Sequence, residues 1–397
     1  MSEVFGSHAL RRAVVLALAA VAALTALVAA PADAKPKKKG AVPVTVMTRN
    51  LFLGADLSPA LGASGVSEFV QANGAILREL DQTNFPVRAR GLAREIRKSK
   101  AHLVGLQEVA LWRTGPVTLV PAQTGIPEAT EVKYDFLQLL LDELNKNKSK
   151  KYKGYAAAVV QEEFDFEAPA NYDGDPNTGV VPIGGADLNG RLTMRDVILV
   201  RKGSGVKVRK AQGGHYTNLF TPVISGLPVP VTRGWAALDV KVKAAKGKGK
   251  GTKKAPNASF RFVDTHFEAF DDETQRPSIR ALQAQELLNG PGKAKKVILV
   301  GDLNSNVPGV KPGDEQAYQT MLDGGFSERS TSNPLSCCVS SVISGNPSEF
   351  DHQVDHVMTN QSKKKVKLVK SFVTGLAPVD GLFPSDHAGI VSRLKVR

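Results

Sequence analysis

The chain of 397 residues carries 52 Lys and Arg against 38 Asp and Glu, a formal charge of +14, with 42% hydrophobic residues and two cysteines. This is the balance of an ordinary globular protein, and it excludes a disulfide-built scaffold and a low-complexity chain. The positive excess points to polyanionic company, whether nucleic acid, an anionic membrane surface or a cell-wall polymer, although a solvated basic surface gives the same count.

Arg11 and Arg12 precede the apolar stretch Ala13–Ala30, and Ala32-Asp33-Ala34 offers a small-x-small cleavage site. Residues 1–34 therefore read as a secretion signal cleaved near Ala34, in competition with an uncleaved anchor. Residues 35–41 read as a basic disordered leader, and 42–397 as one domain, because the polar islands described below span it and must converge to act.

From Val42 onward, strand-like runs alternate with amphipathic helices. Pro86 suits the first turn of a helix in which Leu92 and Ile96 share a face, and LVGL then reads as a buried strand that brings Glu108 to its end. Further helices are predicted at 134–146, 278–288 and 315–325. Strands are predicted at 155–160, 196–201, 235–243, 259–265, 297–302, 354–359, 367–374 and 388–396.

Two insertions interrupt this pattern. The first, 161–192, is acidic; its DGDPNTG (173–179) superficially resembles a calcium loop, but Thr178 stands where an EF-hand needs glycine, so it reads as a polar turn. The second, AAKGKGKGTKKAPN (244–257), reads as a flexible cationic loop that either tracks phosphates or headgroups or is simply solvated. Adjacent Cys337 and Cys338 form either a vicinal disulfide or two thiols, and no metal site is expected from that pair alone.

The run VILVGDLNSN (297–306) delivers Asp302 and Asn304 on the same side of a strand's end. A carboxylate beside a carboxamide suits a site handling phosphate and a hard metal; taken alone it also reads as a strand-ending turn. Further polar islands close or interrupt apolar runs: Asn50 in 42–57, Glu108 in 101–109, His266 in 260–270, Asp355 and His356 in 352–358, and Asp386 and His387 in 382–396. A strand-end carboxylate such as Glu108 is a hard oxygen ligand of the kind Mg2+ prefers.

Taken in order, Gln107-Glu108, Thr265-His266, Gly301-Asp302-Leu303-Asn304, Val354-Asp355-His356 and Ser385-Asp386-His387 resemble the endonuclease/exonuclease/phosphatase superfamily from about Val42 to the C-terminus. The resemblance implies an α/β (α+β) fold like that of deoxyribonuclease I, a four-layer sandwich of two packed mixed β-sheets flanked by helices. It implies a phosphoesterase using Mg2+, with Mn2+ or Ca2+ as alternatives, held at Glu108 with Asn50 and Asp386 beside it. His387 becomes the general base and Asp355 its orienting partner. Asp302 orients water or shares the metal, Asn304 holds phosphate oxygens, and His266 contacts phosphate or assists the leaving group. Arg233, in VTRGWAALDV, aligns with a phosphate-contacting arginine, and a structural salt bridge is its competing role. His356 is expected to support, and Asp351-His352 to be loop.

The expected substrate is a phosphodiester, with nucleic acid favoured by the charge. A sphingomyelinase-like phospholipid phosphodiesterase is the alternative, disfavoured because aromatic residues are 6% of the chain and no exposed apolar hairpin suited to membrane insertion is evident. A non-catalytic polyanion-binding protein is the reading from another class; the complete set from Glu108 to His387 speaks against it. No obligate protein partner is inferred.

Overall fold

The computed structural model describes residues 40–224, 226–244, 256–271, 276–310, 314–331 and 334–397. The expected signal at 1–34, most of the leader at 35–41 and most of the Lys-Gly segment 244–257 lie outside the described residues. Residues 40–397 form one compact unit.

The first strand, β1 (Val42–Asn50), shows how the layers arise. Val42, Val44 and Val46 enter one apolar cluster and Met47 another, the pattern of a strand buried on both faces. In chain order there follow β2 (Leu103–Gln107), β3 (Leu111–Gly115), β4 (Glu131–Asp135), β5 (Tyr155–Ala170), β6 (Leu188–Arg201), β7 (Val206–His215) and the short pair β8 (Val223–Ile224) and β9 (Leu227–Pro228). Then come β10 (Gly234–Lys243), β11 (Asn257–His266), β12 (Val297–Asp302), β13 (Ser327–Glu328), β14 (Asp355–Thr359), β15 (Val366–Thr374) and β16 (Gly389–Val396).

One mixed sheet has the order β15-β16-β1-β2-β6-β3-β4, with β5 also on β6; the other has the order β13-β14-β12-β11-β10-β7. They pack face to face through Val44, Leu103, Ile198, Phe262 and Val300. Helices Val66–Gln82, Phe85–Ser99 and Phe136–Asn145 cover the first sheet, and Ile279–Asn289 and Gln316–Asp323 cover the second. The four layers and the α+β class are those the resemblance implies.

The helix Phe85–Ser99 starts where Asn84 accepts a hydrogen bond from the Val87 N–H, with Pro86 in the first turn. Phe85, Ala89, Leu92 and Ile96 make its buried stripe, and it leads into β2, which runs parallel to β1. The acidic stretch differs from expectation. β5 does not stop at 160 but continues to Ala170 along β6, because two bulges absorb its irregular pattern and Asp165 pairs with Arg191 across the ladder. Only 171–187 remains as connection. Within it Asp173 and Asp175 accept local N–H groups and Thr178 donates to Asp173, which is a polar turn. The helix Val66–Gln82 and strand β7 were not anticipated.

Gly105 on β2 faces the second sheet, where an added Cβ would lie 2.3 Å from Asp264 Oδ1 and 2.5 Å from Val300 Cγ2. Gly105→Ala should therefore lower stability by about 1–3 kcal/mol, read from urea unfolding. An unchanged midpoint would mean that the sheets are not packed this closely.

Candidate active site

β1 and β2 end together, with Asn50 beside Gln107, and β11 and β12 end together, with His266 beside Asp302. β14 begins opposite Asp302, and β16 begins just after His387. Asn50 Nδ2 donates to Asp302 Oδ2 at 3.1 Å, so the two sheets meet at this end.

His387 Nδ1 lies 2.9 Å from Asp355 Oδ2, which turns Nε2 toward Asp302 Oδ2 at 3.6 Å. Burial disfavours the imidazolium, but Asp355, Asp302 and Asp386 outweigh it and hold His387 well above its usual range. Burial and the neighbouring Asp355 push Asp302 up to about 6. Asp386 is raised by burial and then by Glu108.

Glu108 Oε1 accepts from Asn50 Nδ2 at 2.9 Å and Oε2 from the Leu53 N–H at 2.7 Å. Asn50 Oδ1 is taken by the Phe52 N–H at 2.9 Å. Asn50 therefore presents its amide group to two carboxylates and braces them, rather than offering an oxygen outward. Glu108, Phe52 and Asn304 have φ of 55°, 56° and 45°, a left-handed backbone that non-glycine residues adopt mainly where surrounding structure enforces it.

On the other side, His266 lies between Arg233 and Asn304. Arg233 Nη1 is 3.3 Å from His266 Nδ1, and Asn304 Nδ2 is 3.0 Å from Nε2 while also donating to the Phe267 carbonyl. Burial, then Arg233 and His387, push His266 well below its usual range, which keeps it neutral. Arg233 Nη2 pairs with buried Glu268 at 3.3 Å, yet the residue also lines a cavity of about 360 Å³ together with Glu108 and Asp386. It thus has both a structural salt bridge and a face on the cavity.

His356 faces elsewhere. Its Nδ1 is 2.9 Å from Glu328 and its Nε2 3.0 Å from the Ser305 carbonyl, inside the second sheet, so it supports the fold. Asp351 and His352 pair in a loop. Cys337 and Cys338 are joined, with Cys338 Sγ 3.5 Å from His387 Nε2.

Sequence reasoning missed buried cations around the site, Arg49 and Arg88 among them. Arg49 pairs with Glu95 at 3.2 Å and donates to the His387 carbonyl. Arg88 donates to the carbonyls of Leu51, Phe52 and Pro384. Together they tie the turn after β1 to the turn before β16. The available signal was Arg88 standing on the apolar stripe of its own helix.

A family profile described as Endonuclease/Exonuclease/phosphatase family matches residues 71–387. The chain belongs to the endonuclease/exonuclease/phosphatase family. As such it is a phosphoester hydrolase. A search of curated proteins finds no match. Among solved structures it is similar to an endonuclease/exonuclease/phosphatase family protein from Bacteroides thetaiotaomicron, at 15% identity over 90% of this chain and 99% of the other, with a TM-score of 0.51. That likeness concerns the fold. A mannosyl-6-phosphatase of the same organism follows at 15% identity, 88% and 99% coverage and TM-score 0.47. TDP2 from D. rerio, complexed with single strand DNA product, has 15% identity, 89% and 98% coverage and TM-score 0.45.

Members of this endonuclease/exonuclease/phosphatase family generally act with a divalent cation, and the residues present fit one. Glu108 raises the cost of ionising Asp386, and Asp355 that of ionising Asp302, and all four supply the hard oxygens that Mg2+ selects. Ligand atoms of Asp302, Asp355 and His387 also lie within 4.8 Å of one another. Behind them burial lifts Glu163 to about 10, Asp196 to about 8 and Asp264 well above the carboxylate range, with an unpartnered oxygen on each.

The cavity is walled by Phe52, Leu53, Phe164, Met194, Ile224 and Val342. Ile224 belongs to the β8–β9 hairpin, whose Val223 and Leu227 are 67% and 60% exposed, and Phe220 beside it stacks on Phe270. An exposed apolar hairpin is therefore present here, where none was expected from the sequence. VISGLPVPV lacks alternation and is broken by Gly and Pro, so the strands are too short to announce themselves.

The carboxyl whose folded-state pKa is raised holds a proton that the unfolded chain releases, so its stability contribution is lost as pH climbs. For Asp196 that window runs from its ordinary 3.8 to about 8. Asp196→Asn should therefore flatten the fall of Tm measured in chelator between pH 5 and 8. A slope identical to that of the unaltered protein would show that Asp196 does not carry this buried charge. The lowered His266 acts in the opposite sense, which the comparison cancels.

Proposed function

We propose that this protein is an exported, divalent-metal-dependent phosphodiesterase that hydrolyses nucleic acid. The reading is carried by the buried Asp355–His387 pair whose Nε2 is turned to Asp302, beside the carboxylates of Glu108 and Asp386. In its neutral form, which a cation held by the neighbouring carboxylates would favour by offsetting the negative charge that keeps His387 protonated, His387 Nε2 takes a proton from the attacking water, while Asp355 fixes the tautomer and stabilises the imidazolium that forms. Asp302 accepts the water's other hydrogen and orients its lone pair toward phosphorus.

Arg233 contributes positive charge to the phosphate oxygens across the cavity, and His266, 3.3 Å from Arg233 and 3.0 Å from Asn304, positions both. Glu108, braced by Asn50, and Asp386 beside it would hold Mg2+, or Mn2+ or Ca2+. When bound, it neutralises negative charge developing on the phosphoryl group. As the P–O ester bond breaks, the departing oxygen acquires a proton from water.

Nucleic acid is supported by the +14 charge, and export by Arg11-Arg12, the apolar 13–30 and Ala32-Asp33-Ala34. A second reading, a phospholipid phosphodiesterase, is favoured by one observation: the apolar cavity beside Arg233 is edged by the exposed β8–β9 hairpin.

The test is turnover of plasmid DNA, RNA, sphingomyelin and bis-p-nitrophenyl phosphate, each with Mg2+ or chelator. Cleavage of DNA or RNA that needs the metal, and that falls by about 10²–10³-fold or more in Glu108→Gln, is expected. Sphingomyelin hydrolysis without nuclease activity would establish the second reading, and full turnover after exhaustive chelation would remove the metal.

A further inference from the structure

The positive charge that suggests nucleic acid is not where the chemistry is. The described charged residues lining the catalytic cavity are Asp56, Glu79, Glu108, Asp386 and a single cation, Arg233. The basic residues gather at the other end of the sandwich. β1 starts there with Val42 opposite Val396, β15 starts with Val366 opposite Val396, and β14 ends there with Thr359 beside Ile298. Eight residue steps of β1 separate Val42 from Asn50, roughly 26 Å at strand rise.

Two grooves open at this end and share Arg397. One, of about 630 Å³, is lined by Lys363, Lys364, Lys367 and Lys395; the other, of about 640 Å³, by Arg209, Lys295, Lys296 and Lys365. Lys367 and Lys395 stand directly opposite each other on β15 and β16, and Lys370 stands opposite Arg393 on the same pair of strands. Like charges placed so repel and weaken the ladder, an arrangement that an anion laid across them would relieve.

The acids within reach are already committed. Glu328 accepts from the N–H groups of Arg329, Ser330 and Val357 and faces His356, and Asp239 pairs with Arg261 at 2.8 Å. Lys363, Lys364, Lys365, Lys367, Lys370 and Lys395 form no ion pair with a described carboxylate. Their loop is also built rather than merely charged. Buried Arg329 donates to the carbonyls of Ser327, Glu328, Gln361 and Val366, fixing the turn that carries Lys363–Lys365 from the second sheet to the first.

We propose that this distal basic end is a binding site for the phosphodiester backbone of nucleic acid, separate from the site that cleaves it. The enzyme would hold a long strand or duplex at one end while the opposite end works on a neighbouring stretch or chain. The proposal deepens the nuclease reading and rests on it for the identity of the polymer. Concavity favours this occupant: ridged polyanions enter grooves, whereas a membrane plane meets ridges. Among the described residues the single aromatic lining the two grooves, Phe260, is buried, so none of them sets an interfacial aromatic beside the lysines.

The experiment uses the full chain with four exposed lysines replaced, Lys363→Gln, Lys364→Gln, Lys367→Gln and Lys395→Gln, and duplex DNA binding measured in chelator over a salt series. Affinity at low salt should fall at least tenfold, and the slope of log K against log salt should become shallower by about 3 to 4, since each lost phosphate contact removes about 0.9. Turnover of bis-p-nitrophenyl phosphate should not change, because none of the four lies near the catalytic residues. An unaltered salt slope would overturn the site. So would loss of binding to phosphatidylserine vesicles with DNA binding intact, which would assign the patch to a membrane. If the unaltered protein cleaves neither DNA nor RNA but the four replacements still weaken binding as stated, the nuclease reading fails and the binding site stands.

Discussion

Asp355 opens a strand of one sheet and His387 precedes a strand of the other, so their 2.9 Å hydrogen bond exists only while the two sheets are packed in register. Asn50 and Asp302 form a second such bridge. The candidate site is therefore a property of the sheet interface rather than of any one loop. The apolar contacts of Val44, Phe262 and Val300 that hold the sheets together also set the distance between base and carboxylates. Close approach is needed as well, and Gly105 supplies it by leaving room for Asp264 and Val300.

Gathering so many carboxylates in a dry interface is costly, and the fold offsets this with buried cations. Arg49, Arg88, Arg233 and Arg280 each satisfy several carbonyls or a buried acid around the site. An ion pair of this kind adds little net stability, but loss of one partner leaves an uncompensated buried charge costing about 3–5 kcal/mol. These arginines consequently hold the loops in one geometry. The remaining repulsion among Glu108, Asp302, Asp386 and Asp196 is what a divalent cation is suited to relieve. The exposed lysines at the far end take no part in this balance.

The residues that converge on the candidate site were largely legible in the sequence because they sit at strand ends, where an apolar run stops at a polar one; Asp302, Glu108, His266 and the Ser385-Asp386-His387 turn all carry that mark. The residues that position them were not. Arg49 and Arg88 look like ordinary surface cations until the packing shows them buried, and Asn50's inward-turned amide depends on the Phe52 backbone. In the fold, β5 was cut short because its bulges break the period of two, and the β8–β9 hairpin was invisible because two-residue strands have no period at all. Long-range pairings such as β1 with β16 leave no local signal.

The most direct test of the central claim, that His387 and Asp355 act as one catalytic unit, is a double-mutant cycle on bis-p-nitrophenyl phosphate turnover with His387→Ala, Asp355→Asn and their combination. If Asp355 works through His387, each single replacement slows turnover heavily and the combination is hardly slower than His387→Ala alone. Losses that multiply fully would contradict the account, and Asp355 would then act on the metal or on the structure independently of His387.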